Sequence, residues 1–236
     1  QIADLIAHRL TPVVGDAQIL PALAKAARSH PTPYPIHLKV ETGMGRLGFS
    51  PEELLSLLDD PILQSPLLVE GMMTHLADAD GADSAFTERQ LAAFRAMLEQ
   101  IRQRGLPLPL VHTANSAAIV RFPEAHFSLV RPGIMLYGYH TLPASFPAPD
   151  LQPVLSLRTT IAQLRTIPLG GTVSYNGTFV AKRPTRIAVL PIGYADGYSR
   201  RLSNRGSVLI QGRRAPIVGL VCMDMIMVDV TDFALL

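Results

Sequence analysis

The 236 residues are 48% apolar and carry a net charge of +2. That is core material for one large barrel or two modest domains, and too apolar for a disordered chain. The basic residues are scattered, which argues against a nucleic-acid footprint, and no apolar run reaches the roughly 18–20 residues of a membrane span. A single cysteine, Cys222, rules out an intrachain disulfide and suits a reducing, cytoplasmic compartment. Lys25, Lys39 and Lys182 are the lysines among 21 basic residues. The skew towards arginine favours forked recognition of carboxylate or phosphate groups.

Both ends read as cut: the chain starts at Gln1-Ile2-Ala3-Asp4 without Met or a signal-peptide pattern, and stops after Asp232-Phe233-Ala234-Leu235-Leu236. In chain order, Leu10–Val14 reads as a strand and Asp16–Arg28 as a helix with Leu20, Leu23 and Ala27 inward. Ile36–Val40 is a buried strand. Ser50-Pro51-Glu52-Glu53 is a helix start, with Ser50 as cap, Pro51 in the first turn and Glu53 closing the capping box. Leu67–Thr74 is a strand. Residues 87–104 place Leu91, Phe94, Met97, Leu98 and Ile101 on one helical face, and Gly105 stops that helix. Leu108–His112 and Phe127–Val130 read as further strands. Strand–helix alternation at this spacing predicts parallel βα units: part of a (β/α)8 barrel, about its last five strands, over residues 1–148.

A proline-rich connection at 141–153 follows. Beyond it the helical period disappears, and Val154–Leu164, Arg186–Leu190, Ser207–Ile210, Pro216–Val221 and Met225–Val230 read as strands. Gln211-Gly212 is a hairpin turn between two of them. Residues 149–236 are therefore expected to form a mostly antiparallel, incomplete β domain.

Chemistry in such a barrel sits at the C-terminal strand ends. Those ends carry Glu41 to Gly48, then His75, then Thr113-Ala114-Asn115-Ser116, then Arg131-Pro132-Gly133-Ile134. Asn115 and Ser116 open a short helix whose N–H groups can hold an anion, and Gly133 lets backbone approach a ligand closely. A phosphorylated ligand at this corner is the inference. In the second half, Tyr175, Tyr194 and Tyr198 lie beside glycines in loops, a setting that often exposes a side chain for binding. Cys222 reads as a small buried apolar residue.

His37–Gly48, Thr74–Asp80, His112–Ala117, Val130–Gly138, Val173–Phe179, Ile192–Gly197 and Val221–Asp224, in this order and spacing, closely resemble alanine racemase, a fold type III enzyme dependent on pyridoxal 5'-phosphate. The resemblance implies an N-terminal (β/α)8 barrel and a C-terminal β domain. It implies interconversion of L-alanine and D-alanine by two bases on opposite faces of the substrate, in the cytoplasm, supplying D-alanine for peptidoglycan of the cell wall. The cofactor is the electron sink, and the protein supplies position and proton transfer. Tyr175 matches the tyrosine base, acting across a homodimer interface, and His75 its partner. Arg131 matches the arginine facing the cofactor's ring nitrogen, and His112 the residue that orients it. Ser116, Gly133 and Ile134 match phosphate contacts, with Asn115 beside them. Arg46 and Met223 match substrate-carboxylate contacts, and Tyr194 an entrance residue. Lys39 matches a lysine that some members carry as a carbamate.

The chain also departs from the pattern. The family's Schiff-base lysine lies on the first barrel strand in a Lys-Ala-Asn-Ala-Tyr-Gly-like segment that does not occur here. Neither Lys25 nor Lys182 replaces it, so the chain alone is expected to be inactive. Asn176-Gly177 stands where a glycine and a variable residue are usual, a change that asparagine's backbone tolerance accommodates. A serine or broad-specificity racemase would keep the same motifs. A non-catalytic remnant that binds the cofactor or dimerises is a second reading. A metal-dependent hydrolase built on His37, His75, Asp78, Asp80 and His112 is a third.

Overall fold

Parallel pairing organises the first part of the chain. The computed structural model describes residues 2–63 and 65–234, which form two units, Gln1–Leu155 and Ser156–Leu236. In the first, β1 (Val13–Val14), β2 (Tyr34–Lys39), β3 (Leu67–Met73) and β4 (Leu110–His112) build a parallel sheet in the order β1-β2-β3-β4. Five helices accompany it: α1 (Ile2–Ala7), α2 (Leu20–Ala27), α3 (Pro51–Leu57), α4 (Ala85–Gln103) and α5 (Ser116–Arg121).

Strand alternation sorts the residues of β2 onto two faces. Tyr34, Ile36 and Leu38 are fully buried and pack with Leu20 and Leu23 of α2, Leu54 of α3, and Phe94, Met97 and Ile101 of α4. His37 and Lys39, also buried, occupy the other face. The predicted capping box forms, with Glu53 N donating to Ser50 Oγ at 3.2 Å and Ser50 N to Glu53 Oε2 at 2.8 Å. Gly105, at φ 73°, ends α4 as expected.

Two adjustments follow in this unit. The predicted strand at Leu10–Val14 contracts to Val13–Val14. The segment Phe127–Val130 is not a strand. It runs beside β4, but Phe127 sits at φ 48° and the Ser128 hydroxyl takes the bond from Val111 N at 2.6 Å that a strand carbonyl would accept. Side-chain capture of a ladder donor stops the ladder.

The second unit is antiparallel. It contains β5 (Gln163–Ile167), β6 (Thr172–Val173), β7 (Phe179–Val180), β8 (Thr185–Leu190), β9 (Ser207–Ile210), β10 (Arg213–Pro216) and β11 (Ile226–Asp229). Strands β11-β8-β5 make a three-stranded sheet, and β6-β7 and β9-β10 are hairpins. Gln211 (φ 50°) and Gly212 (φ 77°) form the predicted turn with both central residues left-handed. Ala188, Leu190, Ile217, Ile226, Val228 and Val230 form the core.

The expected strand Val154–Leu164 does not form over most of its length. Val154, Leu155 and Leu157 are exposed, and regular pairing begins only where Ala162 N donates to Val189 O at 2.9 Å. The expected strand Pro216–Val221 is instead the end of β10: Pro216 offers no N–H, Ile217 makes a lone bridge to Val228, and Gly219 (φ 80°) turns the chain away.

Candidate functional site

Arg131 stands where the chain leaves β4's flank, its backbone N bonded to Ala114 O at 2.9 Å. Its guanidinium is held from the ends of two strands, β3 and β4, at once. Nη1 donates to His112 Nδ1 at 2.7 Å, and Nη2 to Thr74 O at 3.0 Å and Thr113 O at 3.1 Å, with His75 Nδ1 3.5 Å away. Burial lowers the Arg131 pKa to about 10, so it stays a cation at neutral pH. His112 is pushed down to about 4 by burial and then by the charge of Arg131 and by His37, so it is neutral. His75 is lowered as well, by burial first and then by Arg131, Arg46 and Lys39.

A polar corner lies beside this cation. Asn115 caps α5, its side chain accepting from Ala118 N at 3.1 Å and donating to Leu76 O at 3.1 Å. The Ser116 hydroxyl accepts from Gly133 N at 2.8 Å and from Met135 N at 3.3 Å. A cavity of about 240 Å³ is lined by His75, Asn115, Ser116, Arg131, Gly133 and Ile134, with Asp80, Ala117 and Thr141 completing the wall. The unit thus brings together residues that follow β3 and β4 with Arg131, Gly133 and Ile134 of the irregular segment after Val130. Arg131 and the Ser116 hydroxyl give this wall, which also carries the Asp80 carboxylate, donors for a small anion-bearing ligand.

Lys39 is buried at the end of β2. Its pKa is lowered by burial, and further by Arg46 and Arg131 against the opposing pull of Glu41. Glu41 organises the loop to Gly48 by accepting from Gly43 N and Arg46 N, and backbone bonds between Phe49 and residues 39 and 41 close it. Arg46 is exposed on this loop.

Sequence reasoning missed Gln90. Buried on α4, it accepts from Ala77 N at 2.9 Å and donates to His75 O at 3.1 Å and Thr42 Oγ1 at 3.2 Å, tying the loops after β2 and β3 together. The signal was present: a glutamine at the position one turn before Phe94 on the helical face that carries Leu91 and Met97.

In the second unit, Tyr175 is exposed beside Ser174, whose backbone sits at φ 67° and whose hydroxyl donates to Leu220 O at 2.8 Å. Asn176 takes the left-handed conformation expected of it, at φ 62°. Tyr194 N donates to Cys222 O at 3.0 Å and Ala195 N to Met223 O at 2.8 Å, so the loops carrying Tyr194 and Met223 are joined through backbone. Both of these side chains are exposed, with the Arg200 guanidinium 5.9 Å from the Tyr194 ring centre. Cys222 is half-buried, not fully buried as the sequence suggested. Among the described residues no three His, Cys, Asp or Glu side chains gather as a metal site, so His37, His75, Asp78, Asp80 and His112 do not form the constellation the hydrolase reading needs.

Residues 1–141 match the family model for the alanine racemase N-terminal domain, and residues 154–235 match the model for its C-terminal domain. The alanine racemase of Halothermothrix orenii is 42% identical over 228 residues, covering 97% of this chain and 60% of that protein. That of Carboxydothermus hydrogenoformans is 42% identical over 233 residues, covering 98% and 63%. Among solved structures, alanine racemase from a D-cycloserine-producing Streptomyces lavendulae superposes with a TM-score of 0.87 at 33% identity, over 98% of this chain and 62% of its own. The Bartonella henselae enzyme with covalently bound pyridoxal phosphate gives 0.80 at 33% identity, over 98% and 63%. The chain spans about 60% of the length of the curated relatives it matches. With a partial parallel barrel, an antiparallel β unit and both family models matched along its length, this chain belongs to the alanine racemase family.

Proposed function

We propose that this chain is the greater part of a pyridoxal 5'-phosphate-dependent racemase that interconverts L-alanine and D-alanine, acting as a homodimer in the cytoplasm and supplying D-alanine for peptidoglycan. The observation that carries the reading is Arg131, fixed by His112, Thr74 and Thr113 beside the corner of Ser116 and Gly133. The donor set suits the cofactor at both ends: the Ser116 hydroxyl beside the Gly133 backbone for a phosphate, and a cation for a heterocyclic nitrogen.

The cofactor, when bound, supplies the electron sink for loss of the α-proton. The chain's residues do the rest. Ser116, Gly133 and Ile134, with Asn115 capping α5 behind them, hold the phosphate. Arg131 would face the ring nitrogen of the cofactor and, being a cation itself, would favour that nitrogen's unprotonated form, which would limit charge delocalisation and favour return of the proton to carbon. His112 orients Arg131. Tyr175 from a second copy takes and returns the proton on one face, with neutral His75 as its partner; a free tyrosine with a pKa near 10 needs that help. In the first unit Arg46 is the proposed contact for the substrate carboxylate; in the second, the Met223 backbone is a proposed carboxylate contact and Tyr194 a proposed entrance residue. Lys39, lowered by burial, is suited to carbamate formation because the neutral amine is the reactive form.

The base for the other face has no candidate in this chain. Lys39 is buried beside Arg46 and Arg131, and Lys182 stands in the loop after β7. The chain alone therefore binds the cofactor reversibly without turnover. The test mixes the chain with pyridoxal 5'-phosphate and follows binding by absorbance, borohydride trapping and racemisation of L-alanine. Expected are reversible binding that Arg131→Ala and Ser116→Ala each weaken about tenfold, no trapped adduct at Lys25 or Lys182, and no racemisation. Turnover by the chain alone, or unchanged affinity in both variants, overturns the reading.

A further inference from the structure

The histidine pair behind Arg131 leads away from the cavity. His112 Nε2 and His37 Nδ1 are 2.7 Å apart, both rings are buried, and His37 Nε2 lies 3.5 Å from Glu70 Oε2. A guanidinium only donates. With Arg131 Nη1 donating to His112 Nδ1, that nitrogen carries no proton, so neutral His112 must carry its proton on Nε2. That proton points at His37 Nδ1, which must accept, so His37 in turn carries its proton on Nε2. The remaining donor is buried without a well-formed bond, and the Glu70 carboxylate is the acceptor in front of it.

We propose that Arg131, His112, His37 and Glu70 form a one-way donor chain, in which His37 and Glu70 are positioning residues that fix the ring of His112 and, through it, the guanidinium of Arg131. Two backbone features serve this chain. The β2–β3 register runs from Ile36 opposite Val69 to His37 opposite Gly71, so Glu70 is an extra residue at a bulge, a device that re-aims a side chain. Gly71 lies between His37 and Leu110 in the sheet, and a Cβ there would stand 2.9 Å from His37 Nε2. The bare glycine lets the His37 ring reach over β3 to His112. A histidine filling space in the core would need neither a bulged carboxylate nor a matched acceptor. That the chain steadies a cofactor contact rests on the function proposed above; the chain itself does not.

The test uses the 236-residue protein with labelled imidazole and guanidinium nitrogens and no small molecule, so its outcome is independent of cofactor binding and of racemisation. Long-range proton–nitrogen spectra at neutral pH are expected to show both His112 and His37 protonated on Nε2 alone. A proton on Nδ1 of either ring in the native protein overturns the proposal, whatever the variants do. In His37→Leu the Arg131 guanidinium protons are expected to exchange with solvent about tenfold faster, because a buried donor on His112 has lost its acceptor. His37→Asn, which returns an oxygen acceptor near the Nδ1 position, is expected to restore slow exchange. Unchanged exchange in His37→Leu, or equal acceleration in both variants, shows that His37 only fills space.

Discussion

His37 and Gly71 are register partners, and the imidazole of one lies where a side chain on the other would have to go. A Cβ on Gly71 would also stand 2.6 Å from the backbone oxygen of Leu110, which cannot turn aside as a flexible side chain can. Gly71→Ala is expected to lower stability by about 2 kcal/mol, the usual cost of overpacking a closed core. Urea unfolding measures it; a stability equal to the native protein's would show that the sheet opens at no cost.

His112 gives the fold an acid sensitivity. Its ordinary pKa is near 6.5 and its folded value is about 4. As pH falls below 6.5 the unfolded chain takes the proton first, so stability drops between about 6.5 and 4 and is fully present above that window. From pH 7 to 5 the loss from this one residue is about 2 kcal/mol. His75, also lowered, adds to it in the same direction. Unfolding midpoints at the two pH values, compared between native and His112→Gln, isolate the contribution: the variant should lose less on acidification.

Gln90 ties three loop groups through one amide. Gln90→Leu keeps the volume but strands Ala77 N and the carbonyl of His75. Leaving such groups unpaired costs about 2–3 kcal/mol in all. Hydrogen exchange at the Ala77 amide should accelerate in step with the stability loss; retained protection would mean that another acceptor takes over.

Lys39 is the lysine whose burial lowers its pKa, whereas Lys25 and Lys182 are exposed. In carbon-13-labelled bicarbonate, one carbamate signal is expected, absent in Lys39→Arg and retained in Lys25→Arg and Lys182→Arg. A signal that survives Lys39→Arg refutes the assignment.

Much of the first unit was legible in the residues because local signals and burial agree there. The Ser50–Glu53 box, the apolar face of α4 and the short apolar run of Ile36–Val40 each specify their element alone. The sequence was least informative where one side chain or one turn overrides propensity. Nothing in Phe127–Val130 announces that Ser128 will capture Val111 N, and nothing in the apolar run from Val154 announces that it finds no ladder partner before Ala162. At the site, Ser116 was found because it follows the end of β4, whereas Arg131 and Gly133 were found from an expected strand, Phe127–Val130, that does not form. Gln90 and Glu70 escaped because their roles depend on what stands opposite them: a loop after another strand in one case, a bulge in the other.

That bulge bears on how the sequence can vary. Because Ile36 and His37 are consecutive while their partners Val69 and Gly71 are not, removing Glu70 would make the partners consecutive too and leave every later residue of β3 on its present face. A one-residue deletion inside a central strand is ordinarily ruinous, since it inverts all that follows. Here the sheet should tolerate it, forfeiting a carboxylate and nothing of the core. The strand is spelled one letter longer than its architecture requires.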